Sequence, residues 1–244
     1  MAEVANLGGV PLHTDVRLPF ATYGRFDLAA STVVCLGVAG ACGWMAGDVG
    51  WGLWVPAALA VAVWLVLVNF FRDPERTTPQ GELLVIAPAD GVVKDIAEVD
   101  EPKVLGERAS RIGIFLSPLD VHVNRMPMAC KVVQVVYVKG KMLPAFDPLA
   151  ITQNEAAAAC IEVLAGRSKM IVRQITGAVA RRIVCPVLPG ERYEAGQRYG
   201  MIKLGSRTEV WVPMSMPVRW NVKIGDRVRA GETVIGVLEP RPGT

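Results

Sequence analysis

Few residues of this chain could carry acid-base or nucleophilic chemistry. Among 244 residues there are 2 histidines, His13 and His122, and 5 cysteines. Asp120 lies two residues before His122, a spacing that would place both side chains on one face of a strand. The cysteines have no CxxC spacing and an odd total, so neither a disulfide framework nor a structural zinc site is supported, and we expect them to be buried small hydrophobic residues. Imidazole chemistry in the body of the chain therefore falls on His122.

The elements that must position this residue are of two kinds. Hydrophobic residues make up 52% of the chain, and the mean hydropathy is +0.35, which is high for a wholly soluble protein. Two uncharged runs, residues 28–47 and 49–71, account for the excess, and only Asp48 separates them. Outside them the charged share is that of an ordinary soluble domain, which excludes disorder, collagen-like repeats and a polytopic transporter.

The two runs predict a transmembrane helical hairpin over residues 28–71, because each is long enough to cross a hydrocarbon core of about 30 Å. A hairpin that does not cross fully is an alternative, since Pro56 and several glycines loosen both helices. Small residues at four-residue spacing would let the second helix approach the first. These are Ala39, Gly43 and Gly47.

Charge around the runs predicts the orientation in the cell (inner) membrane. The turn holds no Lys or Arg, whereas the flanks hold Arg17, Arg25, Arg72 and Arg76. Because Lys and Arg favour the cytoplasmic side, both termini are expected there. The predicted order is a cytoplasmic segment over residues 1–27, the hairpin over 28–71 and a domain on the cytoplasmic face over 72–244.

From residue 82 onward, short runs rich in Val and Ile alternate with Gly, Pro and Asp, which predicts strands. The predicted strands are residues 83–86, 91–96, 111–116, 131–138, 171–175, 180–184, 200–204, 209–212 and 233–238. One helix is predicted over residues 153–164, with Thr152 or Asn154 as its cap. The fold class is therefore mainly β (α+β), an antiparallel sandwich or barrel preceded by the hairpin. Residues 222–238 look like the half-barrel of lipoyl and biotinyl carrier domains.

Three segments make the chain recognisable. They are Phe70-Phe-Arg-Asp-Pro-Glu-Arg with Pro88-Ala-Asp-Gly, then Phe115-Leu-Ser-Pro-Leu-Asp-Val-His-Val-Asn-Arg-Met-Pro, and then Gly200-Met-Ile-Lys-Leu-Gly-Ser-Arg. In this order and spacing they resemble phosphatidylserine decarboxylase, in its compact archaeal-type branch with a Gly-Ser-Arg cleavage motif. The resemblance runs from about residue 70 to 240.

The resemblance implies a proenzyme that cuts itself between Gly205 and Ser206. A serine hydroxyl attacks the preceding carbonyl, the amide becomes an ester, and elimination followed by hydrolysis leaves a pyruvoyl group. Glycine leaves its carbonyl open to this attack. The products would be chains 1–205 and 206–244, which form a heterodimer, with a higher homo-oligomer left open. The covalent pyruvoyl group derived from Ser206 would be the cofactor for decarboxylating phosphatidylserine, and no metal is needed.

The resemblance also assigns roles to the other residues of the site. His122 would be the base for self-cleavage, and Asp90 would orient its imidazole as the acid of a Ser-His-Asp triad does. Asp120 is a rival for the orienting role. The longer bacterial form of the family carries a second histidine where this chain has Arg125, so His122 acts alone or shares its work with Asn124 and Arg125.

Two further questions concern partners. Five basic residues could meet lipid phosphates or could form a solvated sheet face balanced by glutamates, and they are Arg167, Lys169, Arg173, Arg181 and Arg182. Nucleic acid is not indicated by a net charge of +3 spread in this way. The rival function is a non-catalytic, membrane-anchored lipoyl-like carrier or adaptor. It is disfavoured because its candidate lysines, Lys203 and Lys223, are predicted within strands and not at a hairpin tip.

Overall fold

Two long helices lead into the body of the protein. The computed structural model describes residues 19–145, 147–164, 168–178, 182–203 and 206–239. The helices are α1 (Arg25–Val49) and α2 (Trp54–Phe70), separated by a 3-10 turn at Trp51–Leu53. They contact each other where the indole N–H of Trp64 donates to Thr32 Oγ1 at 3.0 Å.

The close approach at the small residues of α1 stays a prediction, because a Cβ at either of two glycines there would meet no unusually close atom. A Cβ atom added to Gly43 would lie 3.6 Å from the Trp54 ring, whereas one added to Gly47 would meet nothing within 4 Å. The segments Thr22–Val49 and Trp51–Phe70 are long and apolar enough to cross a membrane. Their side chains are largely uncovered, and Trp44 and Trp51 are 83% and 81% exposed. His13 and Arg17 lie outside the described residues.

The body consists of strands with one short helix, α3 (Ala150–Gln153). The strands are β1 (Leu84–Ile86), β2 (Gly91–Glu101), β3 (Glu107–Leu116), β4 (Val123–Arg125), β5 (Cys130–Val138), β6 (Ala156–Val163), β7 (Lys169–Thr176), β8 (Arg182–Val184), β9 (Arg192–Tyr193), β10 (Arg198–Lys203), β11 (Ser206–Pro213), β12 (Val218–Trp220), β13 (Arg227–Val228) and β14 (Val234–Leu238). Each predicted strand coincides with one of these in its described part.

The strands form one large and two small sheets. The large sheet has the order β13-β2-β3-β11-β7-β6-β5-β9, and the small sheets have the orders β4-β10-β8 and β1-β14-β12. All pairings between these strands are antiparallel. The prediction of a mainly β, antiparallel fold is confirmed. The main core contains side chains of all three sheets, for example Ile114 of β3, Tyr199 of β10 and Ile235 of β14.

The helix predicted over residues 153–164 is wrong, because most of that stretch is β6. Alanine favours helices, but β6 pairs with β5 on one side and β7 on the other, and this pairing overrides local propensity. Ala156 and Ala159 are buried in this strand. Asn154 does not cap a helix, since its amide bonds to Leu143 and to the Thr176 carbonyl.

Other details differ from expectation. The segment expected to form a half-barrel contributes β13 to the large sheet and β14 to a small one, so the half-barrel stays a prediction. Lys223 lies in the exposed turn between β12 and β13, where its N–H bonds to Asp226, and not within a strand. Of the cysteines, Cys130 and Cys160 are buried as expected, and the other three are only partly covered.

Candidate active site

Ser206 is the first residue of β11, at the centre of the large sheet. It pairs with Leu116 of β3 on one side and Thr176 of β7 on the other. The side chain is fully buried, and its hydroxyl oxygen has no hydrogen-bond partner among the described residues. A buried hydroxyl is nearly always hydrogen-bonded, so an unpartnered one marks a candidate reactive group.

The predicted cleavage junction lies between two sheets. The chain leaves the small sheet at Lys203, the last residue of β10, and enters the large sheet at Ser206. Gly205, the other residue of the predicted scissile bond, lies outside the described residues, as does Leu204. β10 and β11 belong to different sheets and do not pair with each other in their described parts. A cut between them would therefore separate no paired strands.

His122 lies just before β4, which pairs with β10. Its carbonyl accepts a bond from the N–H of Ile202 at 3.3 Å, so the residue is held beside the strand that leads to Ser206. The imidazole is fully buried and packs against Phe70, the last residue of α2, with ring centroids 4.4 Å apart. The end of the second helix therefore forms one wall around the histidine.

The hydrogen bond of the imidazole defines its tautomer. His122 Nδ1 lies 2.8 Å from the carbonyl oxygen of Asp120. A carbonyl can only accept, so Nδ1 carries the proton and Nε2 is the basic nitrogen. Burial lowers the pKa of His122 from 6.5 to about 4, with a smaller lowering from the charge of Arg72, while the carbonyl and charge of Asp120 act to raise it. The ring is therefore neutral at pH 7.

The imidazole contacts the backbone carbonyl of Asp120 and not its carboxylate. The carboxylate accepts the N–H of Ser117 at 2.8 Å and faces Arg227 at 3.4 Å. The strand predicted around Asp120 and His122 is wrong, because Ser117 to Asp120 form a turn closed by a backbone bond of 2.9 Å. Asp120 and His122 are in contact, as their two-residue spacing suggested, but they meet through a turn and not on one face of a strand.

The structure places Asp90 away from the orienting position that the triad comparison predicts. One carboxylate oxygen bonds to Arg76 at 2.9 Å and the other accepts the N–H of Ala230 at 2.7 Å. Burial raises the pKa of the Asp90 carboxyl, although these two donors act to lower it. Asp90 thus fixes the turn before β2. The next residue, Gly91, has a φ of +150°, and a Cβ there would lie 2.1 Å from the Phe115 carbonyl oxygen.

Asn124 belongs to a buried network of side chains next to Ser206. Its amide N–H groups donate to Thr208 Oγ1 at 3.1 Å and toward the Pro88 carbonyl at 3.4 Å, while its oxygen accepts from Gln174 Nε2 at 2.7 Å. The proline carbonyl can only accept, so the direction of every bond is fixed. The carbonyl oxygen of Gln174 is then left buried without a partner among the described residues.

Arg125 does not join this network. It forms a buried ion pair with Asp73 at 3.0 Å and donates to the carbonyls of Gly196 and Pro74. Burial lowers the pKa of Arg125, with Asp73 acting against that effect. Its contacts connect β4 to the segment that follows α2 and to Gly196 before β10.

Sequence reasoning missed three residues of this site. Phe70 was named only as the first residue of a motif, and Thr208 lay just before the strand predicted over residues 209–212. Gln174 gave a visible signal, because it is an uncharged polar residue within a predicted strand rich in Ile and Val. On antiparallel neighbours, directly paired residues share a face, so the pairing of Thr208 with Gln174 places both on the Ser206 face of the sheet.

The helices are attached to the body at the site. Lys203, three residues before Ser206, forms an ion pair with Asp27 in the first turn of α1. Arg72, just after α2, donates to the Leu119 carbonyl at 2.7 Å. A separate apolar cluster joins the two parts, and it contains Ala21, Phe70, Phe71, Val121, Val123 and Met201.

Of the five basic residues noted in the sequence, Arg173 faces Glu209 at 3.6 Å, which agrees with a sheet face balanced by glutamates. Lys169 is exposed at the start of β7. Arg167, Arg181 and the side chain of Arg182 lie outside the described residues.

Comparison with known proteins identifies the family. The family model described as phosphatidylserine decarboxylase matches residues 64–236, which takes in the end of α2 and nearly all the body. The chain belongs to the phosphatidylserine decarboxylase family. Ser206, His122, Asp120, Asp90 and the Asn124 network all lie within the matched region.

Individual relatives carry the name phosphatidylserine decarboxylase proenzyme. The protein from Geobacter metallireducens is 47% identical over 189 residues, 75% of this chain and 85% of its own length. That from Symbiobacterium thermophilum is 45% identical over 185 residues, 76% of this chain and 85% of its own. That from Geobacter sulfurreducens is 40% identical over 220 residues, 90% of this chain and 97% of its own, so this likeness extends well into the helices.

Proposed function

We propose that this protein decarboxylates phosphatidylserine to phosphatidylethanolamine after cutting its own chain between Gly205 and Ser206. The observation that carries the proposal is the buried hydroxyl of Ser206 at the start of β11, which has no hydrogen-bond partner among the described residues. The word proenzyme in the names of the relatives supports processing of this kind. The rival carrier function has no such support in the names of the relatives, although Lys223 lies in an exposed turn.

Self-cleavage needs a base for the Ser206 hydroxyl, and we assign that role to His122. Oγ attacks the carbonyl carbon of Gly205 as its proton passes to Nε2 of the imidazole. The C–N bond then breaks, the Ser206 nitrogen takes up the proton, and an ester remains. Loss of the Ser206 α-proton expels the Gly205 carboxylate, and water releases ammonia from the resulting dehydroalanine. The low pKa of His122 keeps it unprotonated and ready for the first step.

The residues present fit a pyruvoyl group at position 206, because the parent hydroxyl is buried and bonded to no described residue. When formed, its ketone would supply the electron sink for the loss of CO2 from the bound amino acid. His122 would hold or return a proton beside it. The Asn124 network would fix the neighbouring face of the sheet, with the unpartnered oxygen of Gln174 as an acceptor.

We propose that Asp120 is the group that orients His122. Asp90 acts indirectly, through the turn that it holds. Asp90 holds the turn over residues 88–91, and the Pro88 carbonyl of that turn faces the Asn124 amide. Arg76 extends the arrangement by pairing with both Asp90 and Glu232. Loss of Asp90 would therefore displace the network and not remove a proton-transfer group.

We further propose that α1 and α2 anchor the protein in the inner membrane with the body on the cytoplasmic side. The helices are long and apolar enough, and the charge bias of their flanks favours this orientation. Phe70 ends α2 against His122, so the site would lie at headgroup depth. A lipid could then present its serine headgroup while its acyl chains stay in the bilayer.

After the cut, the two chains would stay together as a heterodimer. β11 pairs with β3 along its whole length and with β7 along most of it. β14 also pairs with β1 from the first chain. The second chain is therefore embedded in sheets whose other strands belong to the first.

Two measurements test this function. Intact-mass measurement of the purified protein should show two chains that meet at residues 205 and 206, and Ser206→Ala should give one uncut chain. Ser215→Ala, at an exposed serine, is the matched control and should cut normally. A Ser206→Ala variant that still splits would refute cleavage by this hydroxyl.

The second measurement follows CO2 released from phosphatidylserine labelled in the serine carboxyl group. The wild-type protein should release it, and hydroxylamine should abolish release because it blocks carbonyl groups. Activity that survives complete blocking would contradict a ketone cofactor even if the decarboxylation were real.

A further inference from the structure

Arg207, the residue after the predicted cut, has an unusually complete set of contacts on the far side of the large sheet. Side chains alternate along a strand, so Arg207, Glu209 and Trp211 point away from the face that carries Ser206 and Thr208. Arg207 is nevertheless only 3% exposed, and Glu209 is fully buried. Charged side chains are rarely buried to this degree without a dedicated arrangement around them.

The guanidinium group of Arg207 is held by two carboxylates. Nε donates to Glu209 Oε1 at 2.8 Å, and Nη2 lies 2.8 Å and 2.6 Å from the two oxygens of Asp95. Charge-assisted bonds of this kind are the strongest that side chains make, and a planar guanidinium can use several at once. The side chain is therefore fixed in one conformation.

The sheet is shaped to admit this group. A Cβ atom on Gly113 of β3 would lie 1.9 Å from Arg207 Nη2 and 2.4 Å from Cζ, so the guanidinium occupies the space that a side chain would need. Asp95 pairs with Gly113, and the register of β2 shifts between Val93 and Asp95. An irregularity of this kind changes the direction of a side chain. Here it occurs next to Asp95, whose carboxylate extends past Gly113 to Arg207.

Self-cleavage would change what holds the start of β11. Before the cut, Ser206 is an internal residue tied to β10 by the chain. After it, residue 206 is a chain end without a backbone N–H, and strand ends fray unless they are tied down. Arg207 is then the first residue with both a complete backbone and a side chain that can anchor it.

We propose that Arg207 is a positioning residue that keeps the new chain end, and with it the reactive group at residue 206, in register after the cut. This inference rests on the proposed function. It explains why the contacts of Arg207 lie on the opposite face of the sheet, where they do not obstruct the site.

Arg111 provides a matched comparison. It pairs with the same two carboxylates, Asp95 at 2.9 Å and Glu209 at 3.8 Å, and it is also mostly buried. It lies on β3, which the cut leaves intact. If the contacts serve only overall stability, the two arginines should behave alike, whereas positioning of the chain end concerns Arg207 alone.

The test compares Arg207→Met, Arg207→Lys and Arg111→Met in the full-length protein, with vesicles containing phosphatidylserine as substrate. The extent of cutting is read by intact mass, turnover by CO2 release, and folding by the Tm of each variant in an uncut Ser206→Ala background. We expect Arg207→Met to cut to completion but to lose at least tenfold in kcat, with KM within twofold. Arg207→Lys should recover part of the loss, and Arg111→Met should stay within twofold of wild type.

Each outcome bears on the inference. It is overturned if Arg207→Met keeps normal kcat, if Arg111→Met loses as much, or if Arg207→Met is not cut, because the role would then precede cleavage. Similar Tm changes for the two methionine variants in the uncut background, together with the kcat difference, support it. Failure of the proposed function is separate, since it appears as an uncut or inactive wild-type protein, and it overturns the inference with it.

Discussion

Acidification should destabilise this protein through His122 by an amount that the structure allows us to work out. The imidazole is buried and its pKa is lowered to about 4, whereas in the unfolded chain it returns to about 6.5. Between these values the unfolded state binds more protons than the folded state, so stability is lost as the pH falls from 6.5 toward 4. From pH 7 to pH 4.5 the loss amounts to about 2 kcal/mol.

The assay is thermal unfolding in detergent micelles at pH 7 and pH 4.5. It compares Ser206→Ala with the same protein carrying His122→Gln, so that both chains are uncut and share every other titrating group. For a body of this size, about 2 kcal/mol corresponds to a Tm change of roughly 4–8 °C. The protein with His122 should lose that much more than its partner. The charged groups that act on the ring, Asp120 and Arg72, are present in both proteins.

The reasoning fails if the Tm difference between the two proteins is the same at both pH values. That result would mean that the folded imidazole titrates near its ordinary pKa, and the wall formed by Phe70 would not exclude water. A larger loss in the His122→Gln protein would reverse the sign and would also refute a neutral buried base.

Three further predictions follow from the site. His122→Ala should give a single uncut band on a denaturing gel, and near-complete processing would remove His122 as the cleavage base. Gln174→Met should lower the free energy of unfolding by about 1–3 kcal/mol, because it leaves the Asn124 oxygen without its donor. Gln134→Met, at an exposed position, is the control. Equal Tm values for the two variants would contradict the Asn124 network. The cut chains should co-elute on size exclusion in detergent and part only in denaturant, and loss of the shorter chain under native conditions would count against its embedding in the sheets.

The strands were predictable where their residues alternate or are strongly branched. β5 and β7 are rich in Val and Ile, and their predicted bounds agree with the structure to within two residues. β6 was not predictable in this way, because its alanines favour a helix and only pairing with β5 and β7 makes it a strand. Very short strands such as β9 and β13 carry too few residues to show a period at all.

The site was predictable in its residues more than in its geometry. His122 stood out because the chain has only 2 histidines, and both Ser206 and His122 fall in recognisable motifs. Asp120 was one of two acids predicted to contact His122, but contact through its backbone carbonyl was not predictable, since a carbonyl leaves no mark on residue types. The contact of Asp90 with Arg76 joins residues of different segments, and single-sequence reasoning has no means of pairing them.

The contact between Phe70 and His122 bears on whether α1 and α2 can be removed for biochemical work. A common way to obtain a soluble enzyme is to delete hydrophobic helices, on the assumption that they serve only as a tether. Here the last ring of α2 covers the imidazole, so a chain that begins after Phe70 would open the base to water and let its pKa rise toward the ordinary value. The end of α2 thus affects the pKa of His122, and a form of the protein without the helices would report on a different base.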